Sequence, residues 1–512
     1  MEKKNPNIVF IITDQQRYDS LGCTGNPYAV TPNLDALAAE STVCDRYITN
    51  SAICSPSRAS IFTGLQASTH GLWTNGVALP RSEGVRVTEG AERAFPGKWL
   101  VSNIRTFADH FSSAGYYTGC IGKLHIAPYE AHSDFKMEES VPFWMENPEK
   151  MAAWHGPYAG FEDVTITQSH GEMIYGYGGH YGAWLRENHP ETVEAVIKSQ
   201  ETRVLEFPDH PNVYPSEIPE EQHNTTWIGD RVCEKIREVQ AGEKPFMLWV
   251  GFPDPHSPYV PPKALAEEFS KHEVMESAVS YETRHDKPAA FHNLMRKRAA
   301  HLEQPEWHKR IRQYTDALNY MIDKGVGRIV ETLKELGEWD NTILVFTSDH
   351  GDFLGDYGMD GKCVPACNSL NHVPFILHAP DAELPDRLDR AISGVDLFPT
   401  FCELAGIDTP DDLHGESILQ VAREGRKHPV MVQHFTPKRE RTNLSVYDDR
   451  FRYTFYTVTG ERELYDHQAD PHEIINLADN PDFSEEVERL HRELLEELAR
   501  TTLPRAGRVT VW

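Results

Sequence analysis

Cys54-Ser55-Pro56-Ser57-Arg58 combines residue types and spacing that could do chemistry. Ser55 is placed to cap free amides, Pro56 suits a first helical position and Gly64 suits an end, so the spacing predicts a short helix with Cys54 at its positive end. A thiol there meets backbone N–H groups and the charge of Arg58 one turn along, a combination that attracts anions. An oxyanion substrate is the first inference. Four further places carry reactive side chains: Asp14-Gln15, Lys123-Leu124-His125, Asp254-Pro255-His256 and Asp349-His350. Asp14, Asp349 and His350 suit a divalent cation, and Gln15 adds a carbonyl oxygen. His125 and His256 exchange protons near neutral pH.

Each of these places follows an apolar run. Residues 7–13 are continuous and β-branched, as in a strand buried on both faces of a parallel sheet. Similar runs cover 116–122, 246–252, 343–347 and 373–378, separated by helical patterns near 31–38, 104–114, 225–240 and 308–336. This alternation predicts an α/β fold, a large mostly parallel sheet with helices on both faces. Ligands bind beyond the carboxyl ends of such strands, so the rule sends Asp14, Lys123, His125, His256, Asp349 and His350 to one rim. Four converging ends argue for an active site.

Three stretches break the rhythm, near 81–100, 127–222 and 262–307, and are expected to be insertions that hold substrate choice and assembly. After residue 425 the runs become short and alternating, at 430–433, 444–447 and 452–456. A helix near 483–500 follows, with Val487, Leu490, Leu494 and Leu498 on one face. These divisions predict a catalytic domain over 1–425 and a smaller C-terminal subdomain, an antiparallel sheet plus helix with an apolar tail, over 426–512.

The net charge of −28 opposes binding to a nucleic-acid backbone. No stretch approaches the roughly 20 apolar residues that cross a bilayer, and the first residues carry no cleavable leader, so a cytoplasmic protein without membrane contact is expected. Eight cysteines form no disulfide framework, and Cys363 and Cys367 read as structural or incidental.

Cys54, Pro56 and Arg58, with Ala59-Ser60 and Thr63-Gly64, resemble the signature of the type I sulfatases of the alkaline phosphatase-like superfamily. Leu464-Tyr465-Asp466 through Asn476-Leu477 resembles their C-terminal subdomain. The resemblance implies that Cys54 is oxidised to formylglycine by a formylglycine-generating enzyme, and that Asp14, Gln15, Asp349, His350 and the residue at 54 hold a divalent metal. Calcium is the first expectation and manganese the alternative. Gln15 and His350 stand where the commonest pattern has aspartate and asparagine, a departure shared with choline sulfatases and phosphonate monoester hydrolases, whereas Gly122-Lys123-Leu124-His125 resembles the sulfatase lysine and histidine motif.

Their charge lets Arg58, Lys123 and Lys362 clamp the nonbridging oxygens, and by the same resemblance Asp349 assists the attacking hydroxyl and His256 or Lys362 protonates the leaving oxygen. His125 then releases the covalent ester by C–O cleavage. Asn75, in Thr74-Asn75-Gly76, is either a substrate hydrogen-bonding residue or a turn asparagine. The expectation is a sulfuric ester hydrolase for small or aryl sulfate esters, promiscuous toward phosphonates and forming a dimer or tetramer. The alternative is a phosphonate monoester or phosphodiester hydrolase on the same scaffold.

Overall fold

The computed structural model describes residues 5–81, 104–173, 178–280, 287–289, 291–292, 305–362, 366–436 and 442–502. Its strands are β1 (Asn7–Thr13), β2 (Thr42–Cys44), β3 (Tyr47–Ile48), β4 (Tyr117–Gly122), β5 (Asp163–Ile166), β6 (Phe246–Gly251), β7 (Thr342–Ser348), β8 (Phe375–His378), β9 (Arg387–Leu388) and β10 (Ile392–Ser393). A second set comprises β11 (Val430–His434), β12 (Asn443–Tyr447), β13 (Phe451–Tyr456) and β14 (Arg462–Asp466).

Eight strands form one sheet in the order β5-β4-β6-β1-β7-β8-β2-β9. The five from β5 to β7 pair in parallel. β8 departs from that direction and pairs antiparallel with both neighbours. The run at 373–378 therefore delivers nothing to the rim, because its carboxyl end points the other way. The stretch 127–222 is also more than a loop insertion, since β5 extends the sheet edge and helices Gly179–Asn188 and Pro190–Thr202 lie within it.

β1 shows why both faces must be covered. Ile8, Phe10 and Ile12 point into one apolar layer with Phe62, Phe107, Trp249 and Phe401. Val9 and Ile11 point into the other, against Ile228, Val232, Val326 and Ile329. A strand's period of two divides the run between two cores, so all of it must be apolar. Helices Asn224–Gln240 and Pro305–Glu335 cover the second face. The first face carries helix Cys54–Thr63, whose Phe62 stacks on Phe107 at 4.9 Å and meets Trp249 at 4.2 Å. Burying such a ring contributes about 2–3 kcal/mol, which anchors the helix to the sheet beneath it.

β11 to β14 form a separate antiparallel meander. Helix Ser484–Thr501 packs Val487, Leu490 and Leu494 against its Leu444, Val446 and Tyr453. β11 docks beside the chain leading to Cys54: Gln433 N–H donates to Asn50 C=O at 3.0 Å, and Ala52 N–H to His434 Nε2 at 2.8 Å. No helix among the described residues is long and apolar enough to cross a membrane. Cys363, the tail from 503 onward and most of 81–100 lie outside the described residues.

Candidate active site

Four neighbouring strands, β4, β6, β1 and β7, end side by side. Asp349 N–H donates to Thr13 C=O at 3.2 Å, Asp14 N–H to Asp254 C=O at 3.2 Å, and Lys123 N–H to Gly251 C=O at 2.7 Å. These bonds continue the sheet past its last paired residues, so the following side chains share one rim. Gly251 permits the approach, since a Cβ there would stand 2.0 Å from the Lys123 carbonyl oxygen.

Helix Cys54–Thr63 enters this rim with all ten residues buried. Cys54 is its first residue, two earlier than the Pro56 start that the sequence predicts, and Gly64 ends it at φ 66°. Ser55 is not the cap. Its Oγ is buried without a partner, and Asn75 Oδ1 accepts the Ser55 N–H instead, at 3.1 Å. Asn75 Nδ2 lies 3.9 Å from Cys54 Sγ, so one amide caps the helix and also borders the reacting position.

Asp14, Cys54, Asp349 and His350 each place one ligand atom within 4.8 Å of the others, all buried. Cys54 Sγ lies 3.3 Å from His350 Nε2 and 3.7 Å from Asp14 Oδ1. His350 Nδ1 donates to Gly351 C=O at 2.9 Å, which leaves Nε2 as the ligating atom. Gln15, held at φ 69°, donates through Nε2 to Asp352, while its Oε1 is buried without a partner. Two carboxylates, an imidazole and an orphan amide oxygen beside them fit a hard or borderline divalent cation.

Charge around this group is strongly cationic. Lys362 Nζ lies 2.7 Å from Cys54 Sγ, 2.9 Å from His256 Nε2 and 2.9 Å from His350 Nε2. Lys123 Nζ pairs with Asp14. Burial and Asp14 raise the Cys54 thiol, but Lys362, Lys123 and His350 outweigh them and bring it below its ordinary value. Burial likewise opposes ionisation of Asp14, yet Lys123, His256 and Lys362 hold it well below the usual carboxylate range.

Arg58 takes a different place from the substrate clamp expected of it. Fully buried, it donates through Nε to Asp349 Oδ2 at 2.7 Å and through its terminal nitrogens to the carbonyls of Lys123 and Thr13. A guanidinium in the helix interior reaches the carboxylates behind the site, so Arg58 positions Asp349 and, at 3.6 Å, Asp14. His125, at φ 60°, stacks on Tyr129 with centroids 4.1 Å apart and has a buried Nδ1 without a partner. Burial and Lys123 push its imidazole well below its ordinary value, so it is neutral.

Two polar residues around these groups carry no motif in the sequence. His170 lies against Lys123 and His256. Glu139, 1% exposed, accepts the N–H groups of His125 and Ile126 and the Tyr158 hydroxyl. The strand-end rule applied to 163–166 would have found His170, whereas nothing local marks Glu139.

Burial outweighs the bonds to Glu139 and pushes its carboxyl up from 4.5 to about 7. The folded protein then holds this proton more tightly than the unfolded chain. Its contribution to stability is whole below about pH 4.5 and is lost as pH rises through about 7. Glu139→Gln is expected to flatten that fall. Urea titrations from about pH 5 to 7.5 should show the difference from wild type changing by about 2–3 kcal/mol.

Comparison with known proteins places this geometry. The sequence model of the Sulfatase family matches residues 6–407, and that of the C-terminal region of N-sulphoglucosamine sulphohydrolase matches 355–500. An arylsulfatase of Clostridium perfringens is 27% identical over 510 residues, covering 96% of this chain and 94% of its own. A choline-sulfatase of Rhizobium meliloti is 24% identical over 491 residues, covering 94% and 84%. Among solved structures, a phosphonate monoester hydrolase of Agrobacterium radiobacter shares the fold with a TM-score of 0.70 at 22% identity, covering 97% of this chain and 96% of that one. Aligned along nearly its whole length with sulfatases, and bearing Cys54 beside paired carboxylates at the strand ends, this chain belongs to the sulfatase family, within the alkaline phosphatase-like fold.

Proposed function

We propose that the protein hydrolyses small or aryl sulfate esters, using a formylglycine derived from Cys54 and a divalent metal. The observation that carries this reading is the convergence of Cys54, Asp14, Asp349 and His350 in one buried group beneath two ammonium ions. Gln15 Oε1, Asp14, Asp349 and His350 would hold the metal, with calcium the first choice and manganese the alternative. Bound there, the metal would supply positive charge to neutralise and polarise the substrate oxyanion. The residue at 54, once oxidised by a formylglycine-generating enzyme and hydrated, would present the attacking hydroxyl.

The remaining roles belong to side chains. Lys123 and Lys362 grip the nonbridging oxygens, Arg58 holds Asp349 in place, and Asn75 Nδ2 faces the reacting position. Lys362 Nζ, bonded to His256 Nε2, is the proton donor to the leaving oxygen. His125 is the base that takes a proton when the second hydroxyl at position 54 ionises. Residues 1–425 are assigned to the catalytic part and 426–512 to a C-terminal subdomain.

The second reading is a phosphonate monoester hydrolase, favoured by Gln15 and His350. Lys123 and His125, which resemble the sulfatase motif, favour sulfate. On one preparation, kcat/KM for 4-nitrophenyl sulfate is expected to exceed that for 4-nitrophenyl phenylphosphonate by about tenfold or more. A preference for phosphonate overturns the first reading.

A further inference from the structure

His170 sits two residues past the strand-end pair Thr167-Gln168 that follows β5, on the rim already occupied by the ends of β4, β6, β1 and β7. Its Nδ1 lies 3.3 Å from the Pro253 carbonyl, and its Nε2 lies 3.1 Å from Lys123 Nζ. A carbonyl only accepts and an ammonium only donates, so both contacts demand the same neutral tautomer, protonated at Nδ1 with a lone pair on Nε2. His256 repeats the pattern with its Nδ1 on the Ser257 carbonyl and its Nε2 on Lys362 Nζ. The two rings stack with centroids 3.7 Å apart and planes 13° from parallel. Each imidazole thus offers one lone pair to one of the two ammonium groups beside Cys54.

The backbone around His170 is built for this pose. Ser169 adopts φ 66°, a left-handed conformation that is strained for a residue with a side chain. Gly171 follows at φ 53°, where a Cβ would stand 2.6 Å from Pro258 Cγ. Irregular backbone on both sides, pressed against the segment that carries His256, fixes the ring between the two lysines. Lys123 has three N–H bonds. Asp14 takes one and His170 Nε2 a second, which leaves one to meet an oxyanion.

We propose that His170 is a positioning residue that aims the Lys123 ammonium at the substrate oxyanion, and that its stack with His256 keeps the two lysine clamps in register. The proposal rests on the oxyanion-hydrolase reading above. It accounts for two stacked imidazoles that present acceptors, not donors, to a site that binds an anion. The anion meets the ammonium groups, and the imidazoles restrict where those groups point.

His170→Phe keeps a ring to stack on His256 and removes the acceptor. His170→Gln places an amide oxygen near the former Nε2. With 4-nitrophenyl sulfate and with inorganic sulfate by calorimetry, Phe is expected to weaken sulfate binding about tenfold and lower kcat/KM about 10–100-fold, with Gln recovering most of that loss. In a Lys123→Ala background, Phe should add little further, because its effect acts through Lys123. The same calorimetry separates the two levels of argument. A wild type that binds sulfate but turns over no sulfate ester defeats the functional reading alone, while the His170 contrast is still read from sulfate affinity. Should Phe fail to fold, Gln against Asn, which lacks the reach, carries the same contrast. Wild-type sulfate affinity and kcat/KM in Phe, equal loss in Gln and Phe, or an undiminished Phe effect without Lys123 each overturn the proposal.

Discussion

Cys54→Ala is expected to lower kcat by about 10⁴–10⁶-fold, the scale on which loss of a nucleophile is felt, while leaving the fold intact. Position 54 is where the site's contacts meet: Lys362 Nζ at 2.7 Å, His350 Nε2 at 3.3 Å and Asp14 Oδ1 at 3.7 Å. Removing one buried sulfur costs on the order of 1 kcal/mol, small beside a domain core. The helix keeps its Asn75 cap and its Phe62 anchor, because neither passes through the side chain at 54. Stopped activity with a urea midpoint near wild type is therefore the expected pair of results. Protein produced with the maturation enzyme should yield a peptide around residue 54 about 18 Da lighter than the cysteine form, the change from thiol to aldehyde. Active enzyme with an unmodified thiol would refute the nucleophile assignment.

Arg58→Met is expected to destabilise the protein by about 3–5 kcal/mol, the cost of leaving buried charge without its partner. Arg58, Asp14 and Asp349 are all buried completely, with Arg58 Nε on Asp349 at 2.7 Å and a terminal nitrogen 3.6 Å from Asp14. Burying a guanidinium is itself costly, and an apolar replacement of the whole cluster could be neutral. Replacing Arg58 alone removes the cation and leaves both carboxylates in place. Asp14 retains Lys123, so the loss falls mainly on Asp349. Urea unfolding at pH 7 in the presence of a chelator measures the effect without metal. A loss below about 1 kcal/mol would show that Lys123 and Lys362 take over the pairing.

Five of the eight strands of the first sheet, β1, β4, β6, β7 and β8, are legible in the sequence, because a run such as Ile8 to Ile12 with no polar residue is only tolerable between two apolar layers, whereas β2, β5 and β9 carry no such run. The sequence by itself also determined which strand ends carry Asp14, Lys123, His256 and Asp349, since those residues follow directly on the runs. Tertiary structure decided the rest. The direction of β8 depends on pairing with β7 and β2, which periodicity does not report. Arg58's place behind the carboxylates depends on a helix pressed against strand ends nearly three hundred residues away in the chain. The cap supplied by Asn75 and the stack of His170 on His256 arise from chain segments that meet only after the sheet has closed. Local spacing reports the conformation of neighbours in sequence, while the partner a buried charge finds is set by the whole packed chain.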